Sequence, residues 1–449
     1  MRLMKNKERM IILAIALGVI LNPLNTTMIT VALPSIQTDF NLSSTDISWL
    51  IASFFIISAI FTPFIGKLSD IYGRKKILLI GFILVFIASS LAPLSPNMPI
   101  LLILRGIQAM GTAALFPAGI GVIRNTIQTN QNRVIGTLAV FATTSAAFGP
   151  TIGGILVKYG GWPVIFYVNL LVVILGIILI LIFIPKDERN RNQSYQLDFI
   201  GIILFSFFIT TWMFFLLGLD QGIQFGTLLL AILLTIGFYT YEKRKEEPFV
   251  DVNFFQKNFK VTLIYVQYIL STVIFFALLL SFPTFMQSVL GKTSQQAGFA
   301  MLALSVFSII MTPIATRWME RAGFRIPLMV SVVIGLVGVI LLFTVRDSST
   351  LIWLGIILAV TGISNGIQNI GLQNFLFTFI RVEESGIASG LLMTSRFIGN
   401  ILASSIYGVA FASGMNVNNM GTMSLILLIV AVVLIPGMLF ITAKEKQRS

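Results

Sequence analysis

Gly66-Lys67-Leu68-Ser69-Asp70-Ile71-Tyr72-Gly73-Arg74-Lys75-Lys76 is a short, basic connection bracketed by glycines and set between two apolar runs. Its reading decides the fold, because the chain carries it twice. Lys67, Asp70, Gly73 and Lys75 recur in kind as Arg317, Glu320, Gly323 and Arg325, each 250 positions on, and Thr62-Pro63 recurs as Thr312-Pro313. The same offset carries Gly136, Ser145 and Gly149 onto Gly386, Ser395 and Gly399. One offset kept over so many positions implies two similar halves. Parallel halves around a site at mid-membrane are the architecture of rocker-type secondary transporters.

Outward from this connection the chain is a series of apolar runs of about 20 residues, the length a helix needs to cross about 30 Å of hydrocarbon. Lipid offers backbone groups no partner, so such runs form helices. The alternating pattern of membrane-barrel strands is absent. Fourteen spans are predicted, at 10–33, 47–66, 77–95, 99–122, 134–157, 164–184, 199–218, 226–242, 260–282, 297–315, 327–345, 351–373, 387–411 and 421–442. The repeat offset covers eight of them, so spans seven and eight form an insertion. The expected fold class is an all-α polytopic membrane protein. A six-helix bundle covers 1–184, linkers and the inserted pair cover 185–258, and a second six-helix bundle covers 259–449. The polar stretch 186–196 reads as a solvated linker. The stretch 242–260 mixes charges with Phe249, Val250, Val252, Phe254 and Phe255, so part of it is expected on the membrane surface. The first run, Met10–Val31, leads into Leu33-Pro34 and reads as a retained span, not a cleaved signal.

Composition agrees with this layout. Of 449 residues, 56% are hydrophobic and 10% charged, and the chain has no Cys and no His. Disulfides, thiolate nucleophiles, Cys/His zinc sites and His proton shuttles are thereby excluded; no metal or cofactor is expected beyond a coupling proton. The net charge of +13 would suit nucleic acid, but its placement does not. With the N-terminus in the cytoplasm, 25 Lys and Arg fall on cytoplasmic segments and three outside, Lys158, Lys292 and Arg346. That asymmetry predicts both termini in the cytoplasm, and Lys243-Arg244-Lys245 beside anionic headgroups.

Four motifs carry a family resemblance that covers essentially the whole chain. The opening loop, with Gly66, Asp70, Gly73 and Arg74, resembles the signature G-x-L-a-D-r-x-G-r-k of the major facilitator superfamily; the alternative is a plain positive-inside loop. Arg105-Gly106-Ile107-Gln108-Ala109-Met110-Gly111 resembles its R-x-x-Q-G-x-G motif, with Ala109 where Gly is usual. Arg105, Gln108 and Thr112 share a helical face. A buried guanidinium is costly, so Arg105 is expected to face a cavity; a snorkelling structural Arg is the alternative. Gly149-Pro150-Thr151-Ile152-Gly153-Gly154 resembles the G-P-x-x-G-G antiporter motif of drug exporters, and close helix packing is the overlapping explanation. The run Leu24 to Pro34 is similar to the L-D-x-T-x-x-N-V-A-L-P of fourteen-span drug:proton antiporters of the EmrB/QacA type. Asn25 stands where that family has Asp. The resemblance implies the major facilitator fold and drug export, while Asn25 removes the usual proton site.

The 17 carboxylates fall at span ends or in loops on this map. Asp46 is the first choice of proton carrier and Asp220 the second, with Arg105 tuning the site; an N-cap role is the alternative for Asp46. Neutral polar faces then supply the substrate groups: Asn22 and Asn25 on span one, Gln108 on span four, Asn365, Gln368 and Asn369 on span twelve, and Arg396 on span thirteen. Helix–helix hydrogen bonding is the alternative for these amides. The function expected is proton-coupled efflux of lipophilic drugs from the cell membrane by a chain functional as a monomer, with protons and membrane lipids as its other partners and no nucleic acid. A carrier of a specific, anionic metabolite is the rival. A membrane enzyme finds no nucleophile–base pair, carboxylate cluster or phosphate loop here.

Overall fold

The computed structural model describes residues 2–127, 131–186, 198–246, 248–250, 252–253, 259–380 and 385–442, so the linker 186–196 lies almost wholly outside the described residues. The described residues form helices joined by short turns and coil, with no strand among them. The first set comprises α1 (Arg2–Phe40), α2 (Ser44–Tyr72), α3 (Arg74–Leu91), α4 (Met98–Thr126), α5 (Gln131–Gly160) and α6 (Val164–Phe183). Next come α7 (Phe199–Leu217) and α8 (Phe225–Arg244). The rest are α9 (Phe259–Ser288), α10 (Ser294–Ala322), α11 (Arg325–Leu342), α12 (Leu351–Phe377), α13 (Ser385–Ala410) and α14 (Val417–Thr442). Twelve helices are long and apolar enough to cross a membrane. The other two, α5 and α13, span 30 and 26 residues, with some side chains outside the described set.

Local chemistry sets the helix ends. Ser43 and Asp46 form a reciprocal capping box at the start of α2, and Thr293 and Gln296 form the same box at the start of α10, 250 positions on. Each box satisfies two backbone donors that a helix start leaves bare. Gly73 and Gly323, also repeat mates, both turn with positive φ (102° and 70°), a conformation that only glycine adopts without strain.

The packing repeats as well. α1 lies against α4, α5 and α6, and α4 also against α2 and α3; the same contacts recur among α9, α12, α13, α14, α10 and α11. The two sets meet where α5 packs on α10, α2 on α13, and α1 on α9. α7 leans on α2 and α13, and α8 leans on α7. Between the sets Phe55 of α2 meets Phe276 of α9 edge-on, with centroids 5.0 Å apart, and Phe397 of α13 at 6.2 Å.

Candidate functional site

A polar knot closes the middle of the first set. The Arg105 guanidinium lies over the Phe54 ring, 4.4 Å from its centroid, and donates to Gln108 Oε1 at 2.7 Å. Gln108 Nε2 donates to Asn25 Oδ1 at 3.1 Å and to Ser89 Oγ at 3.0 Å. Asn169 Nδ2 donates to the same Asn25 oxygen at 2.7 Å, and Asn25 Nδ2 donates to the Leu21 carbonyl at 2.8 Å. One level along, Asn22 donates to Thr112 Oγ1 at 3.2 Å. Helices α1, α2, α3, α4 and α6 therefore meet at one point, held by groups that lipid cannot satisfy.

This setting differs from the cavity expected around Arg105. The residue is 2% exposed, with no carboxylate beside it among the described residues; the π face of Phe54 and the Gln108 amide oxygen take its charge instead. Asn25 and Gln108 are likewise buried in the knot, not open to solvent. Two atoms keep unused capacity there: Arg105 Nε and Asn169 Oδ1 have no hydrogen-bond partner. The sequence reading missed Asn169, Ser89 and Phe54 as members. Asn169 did leave a signal, a lone amide inside the apolar α6.

The second set has its own polar centre. Ser271 donates to Gln368 Oε1, Gln368 Nε2 donates to Ser364 Oγ at 3.0 Å, and Ser364 donates to the Ser331 carbonyl at 2.7 Å. Ser308 donates to Asn365 Oδ1 at 3.1 Å. A cavity of about 20 Å³ lies among Ser271, Thr361, Ser364, Asn365 and Gln368, enough for one water. Gln368 is thus a bridge between helices, while Asn365, Asn369 and Arg396 are half-buried. Tyr268 is buried, with Asn369 and Arg396 as polar neighbours.

The Gly149–Gly154 segment brings α5 close to α1 within its own set and to α10 of the other. A Cβ at Gly149 would strike Thr27, and one at Gly153 would strike the Met28 backbone, so both let α5 sit against α1. A Cβ at Gly154 would strike the Ser294 carbonyl of α10, and one at Gly298 would strike the Pro150 carbonyl of α5. Thr151 donates to the Gly298 carbonyl at 2.9 Å and Ser294 to the Gly154 carbonyl at 3.1 Å. Lys158 reaches Gln295 Oε1 at 2.5 Å. This joint lies at the end of the molecule away from the basic loops.

At the basic end Arg74 donates to the Gly121 carbonyl and, at 3.2 Å, to Asn125 Oδ1, which ties α3 to the end of α4. Lys75 caps α6 through the Ile184 carbonyl at 2.5 Å. Gly66 faces Pro117 of α4, 3.6 Å from where its Cβ would stand. The side chains of Asp70 and Asp220 lie outside the described residues. Asp46 is exposed, and its carboxylate accepts from the Ser43 amide at 2.9 Å and hydroxyl at 2.7 Å.

Two like sets of spanning helices, joined through backbone contacts and each pinned by a polar centre, define a membrane transport protein and not an enzyme. The chain belongs to the Major Facilitator Superfamily, whose pattern it matches over residues 15–404. It is 36% identical to the uncharacterized MFS-type transporter YwoD of Bacillus subtilis (strain 168), over 95% of each chain. It is 27% identical to the multidrug resistance protein Stp of Mycobacterium tuberculosis, covering 91% of this chain and 77% of that one. The riboflavin transporter RibZ of Clostridioides difficile is 26% identical, with 92% and 90% covered. Among solved structures a D-xylose-proton symporter superposes with a TM-score of 0.69 at 15% identity, over 96% of this chain and 97% of that one, which shows the fold.

Proposed function

We propose that this chain is a proton-coupled antiporter that exports lipophilic drugs across the cell membrane by alternating access. It works as a monomer of fourteen spans, of the EmrB/QacA type, with both termini cytoplasmic. Residues 1–184 and 259–449 are the moving bundles, and 185–258 carries the inserted pair. The observation behind this reading is the α5–α10 joint. The segment that resembles the drug-exporter motif is the one that binds the two sets together, so its parting is the step that a rocking cycle needs. Relatives named for multidrug resistance support the cargo class.

A membrane potential supplies about 2.3 kcal/mol per proton charge per 100 mV. The proton needs an acid, and Asn25 is none, so Asp46 and then Asp220 are the candidates. Specific metabolite transport is the second reading, favoured by the half-buried Arg396 beside Tyr268 and Asn369, a setting suited to an anionic or hydrogen-bonding cargo. Proteoliposomes with separately imposed pH and voltage gradients decide between them. Several lipophilic cations accumulating with opposed proton flux support drug antiport. Uptake of one metabolite, riboflavin included, with no drug-driven proton flux would replace it.

A further inference from the structure

The base of the inserted helix pair presents a cleft that lies outside both polar centres and the α5–α10 joint. It is a surface concavity of about 430 Å³ at the end of α8, lined among the described residues by Thr240, Tyr241, Arg244 and Lys245. Among the described residues neither the Arg244 nor the Lys245 side chain has a hydrogen-bond or ion-pair partner, and both are exposed. The aromatic wall is fixed, because the Tyr241 hydroxyl donates to Asp198 Oδ1 at 2.7 Å.

An apolar track leads into this cleft. Leu229, Leu233 and Ile236 are each more than half exposed, and with Thr240 they follow i, i+4, i+7, i+11 on one face of α8, a single stripe. Arg244 continues it four residues past Thr240. From Leu229 to Thr240 the stripe runs about 16 Å, close to the roughly 15 Å depth of one leaflet's hydrocarbon. Two unpartnered cations at the end of a bare wall one leaflet deep match an amphiphile with an anionic head and an acyl tail.

We propose that this cleft binds the phosphate of an anionic phospholipid, with one acyl chain along Leu229, Leu233 and Ile236. The carbonyls that end α8 bear partial negative charge, so the helix end itself repels the phosphate. Arg244 and Lys245 carry the recognition, Arg244 by its planar fork. Phosphatidylglycerol is the natural probe, since its headgroup adds no positive charge to compete with them.

The test is lipid retention by the full-length purified chain in native mass spectrometry, with phosphatidylglycerol against phosphatidylcholine. The expected result is a saturable phosphatidylglycerol adduct that the variant R244Q/K245Q loses by about tenfold or more. R317Q/R321Q removes two exposed charges from the same end of the molecule and should keep the adduct. Equal retention by R244Q/K245Q overturns the site. So does equal loss in R317Q/R321Q, which would mean general surface charge, or equal binding of phosphatidylcholine. Displacement of the adduct by millimolar inorganic phosphate would assign the cleft to free phosphate and overturn the lipid assignment.

Discussion

Arg105 shows how a charge is kept in an apolar bundle with no carboxylate beside it among the described residues. The Phe54 ring beneath it and a charged hydrogen bond to Gln108 replace one, and the planar fork of the guanidinium serves both at once. Arg105→Ala is expected to abolish coupled transport while the protein still expresses. Its stability should fall by about 1–3 kcal/mol, since Gln108 Oε1 loses its donor. Arg105→Lys should rescue poorly, because an ammonium cannot lie on Phe54 as a plane and reach Gln108 as well. Proteoliposome flux beside a thermal melt checks this, and full drug export by the Ala variant would remove Arg105 from the cycle. Asp46 poses a cleaner question. Its repeat mate Gln296 makes the same capping box without charge, so Asp46→Asn should leave the melting temperature nearly unchanged. Any loss of pH-gradient-driven accumulation then reports the missing proton alone; intact coupling would move the assignment to Asp220. The part of the knot within one helix was legible beforehand, since Arg105 and Gln108 are one turn apart. Asn169, 144 positions from Asn25, was not, because no local pattern encodes a contact between helices.

Helices run longer than hydropathy suggests. The first span was expected at 10–33, yet α1 runs Arg2–Phe40, because polar residues extend a helix into water where hydropathy no longer marks it. Among the elements, α5 and α10 yield the sharpest prediction. Lys158 and Gln295 touch across the joint, and the chain has no cysteine of its own. Because the two long side chains meet at their tips, a Lys158→Cys, Gln295→Cys pair should be bridged by a short reducible bis-methanethiosulfonate reagent, and bridging should stop transport, with activity restored by reductant. Cross-linked protein that still transports would show that the joint does not part during turnover. The motif's glycines were readable as packing residues from the start. That Gly154 and Gly298 would press against carbonyls of the opposite set was not, since the offset relates the halves but does not say how they face each other.

At the scale of the whole molecule the repeat was the most legible feature. It rests on glycines and caps whose backbone demands are the same in both halves, so those positions change little in kind while the polar centres diverge. Charge placement alone predicts the orientation, and Gln193→Cys checks it. That thiol should stay unreactive to an impermeant reagent on intact cells and react once the membrane is opened; labelling from outside would invert the map. The joint between the sets has a further consequence. Its helices approach backbone to backbone and are tied by the Thr151 and Ser294 hydroxyls and by Lys158 on Gln295, so parting strips these side chains and the carbonyls of Gly298 and Gly154 of their partners across the joint. Hydroxyls, an ammonium and amide groups parted in a crevice take water in place of the lost partners. Each opening therefore draws in water, and osmotic stress opposes it. A solute too large to enter the crevice should slow turnover in proportion to the water activity it removes, whereas a small solute at equal osmolality that can enter should not. Equal slowing by both would mean that the joint opens dry.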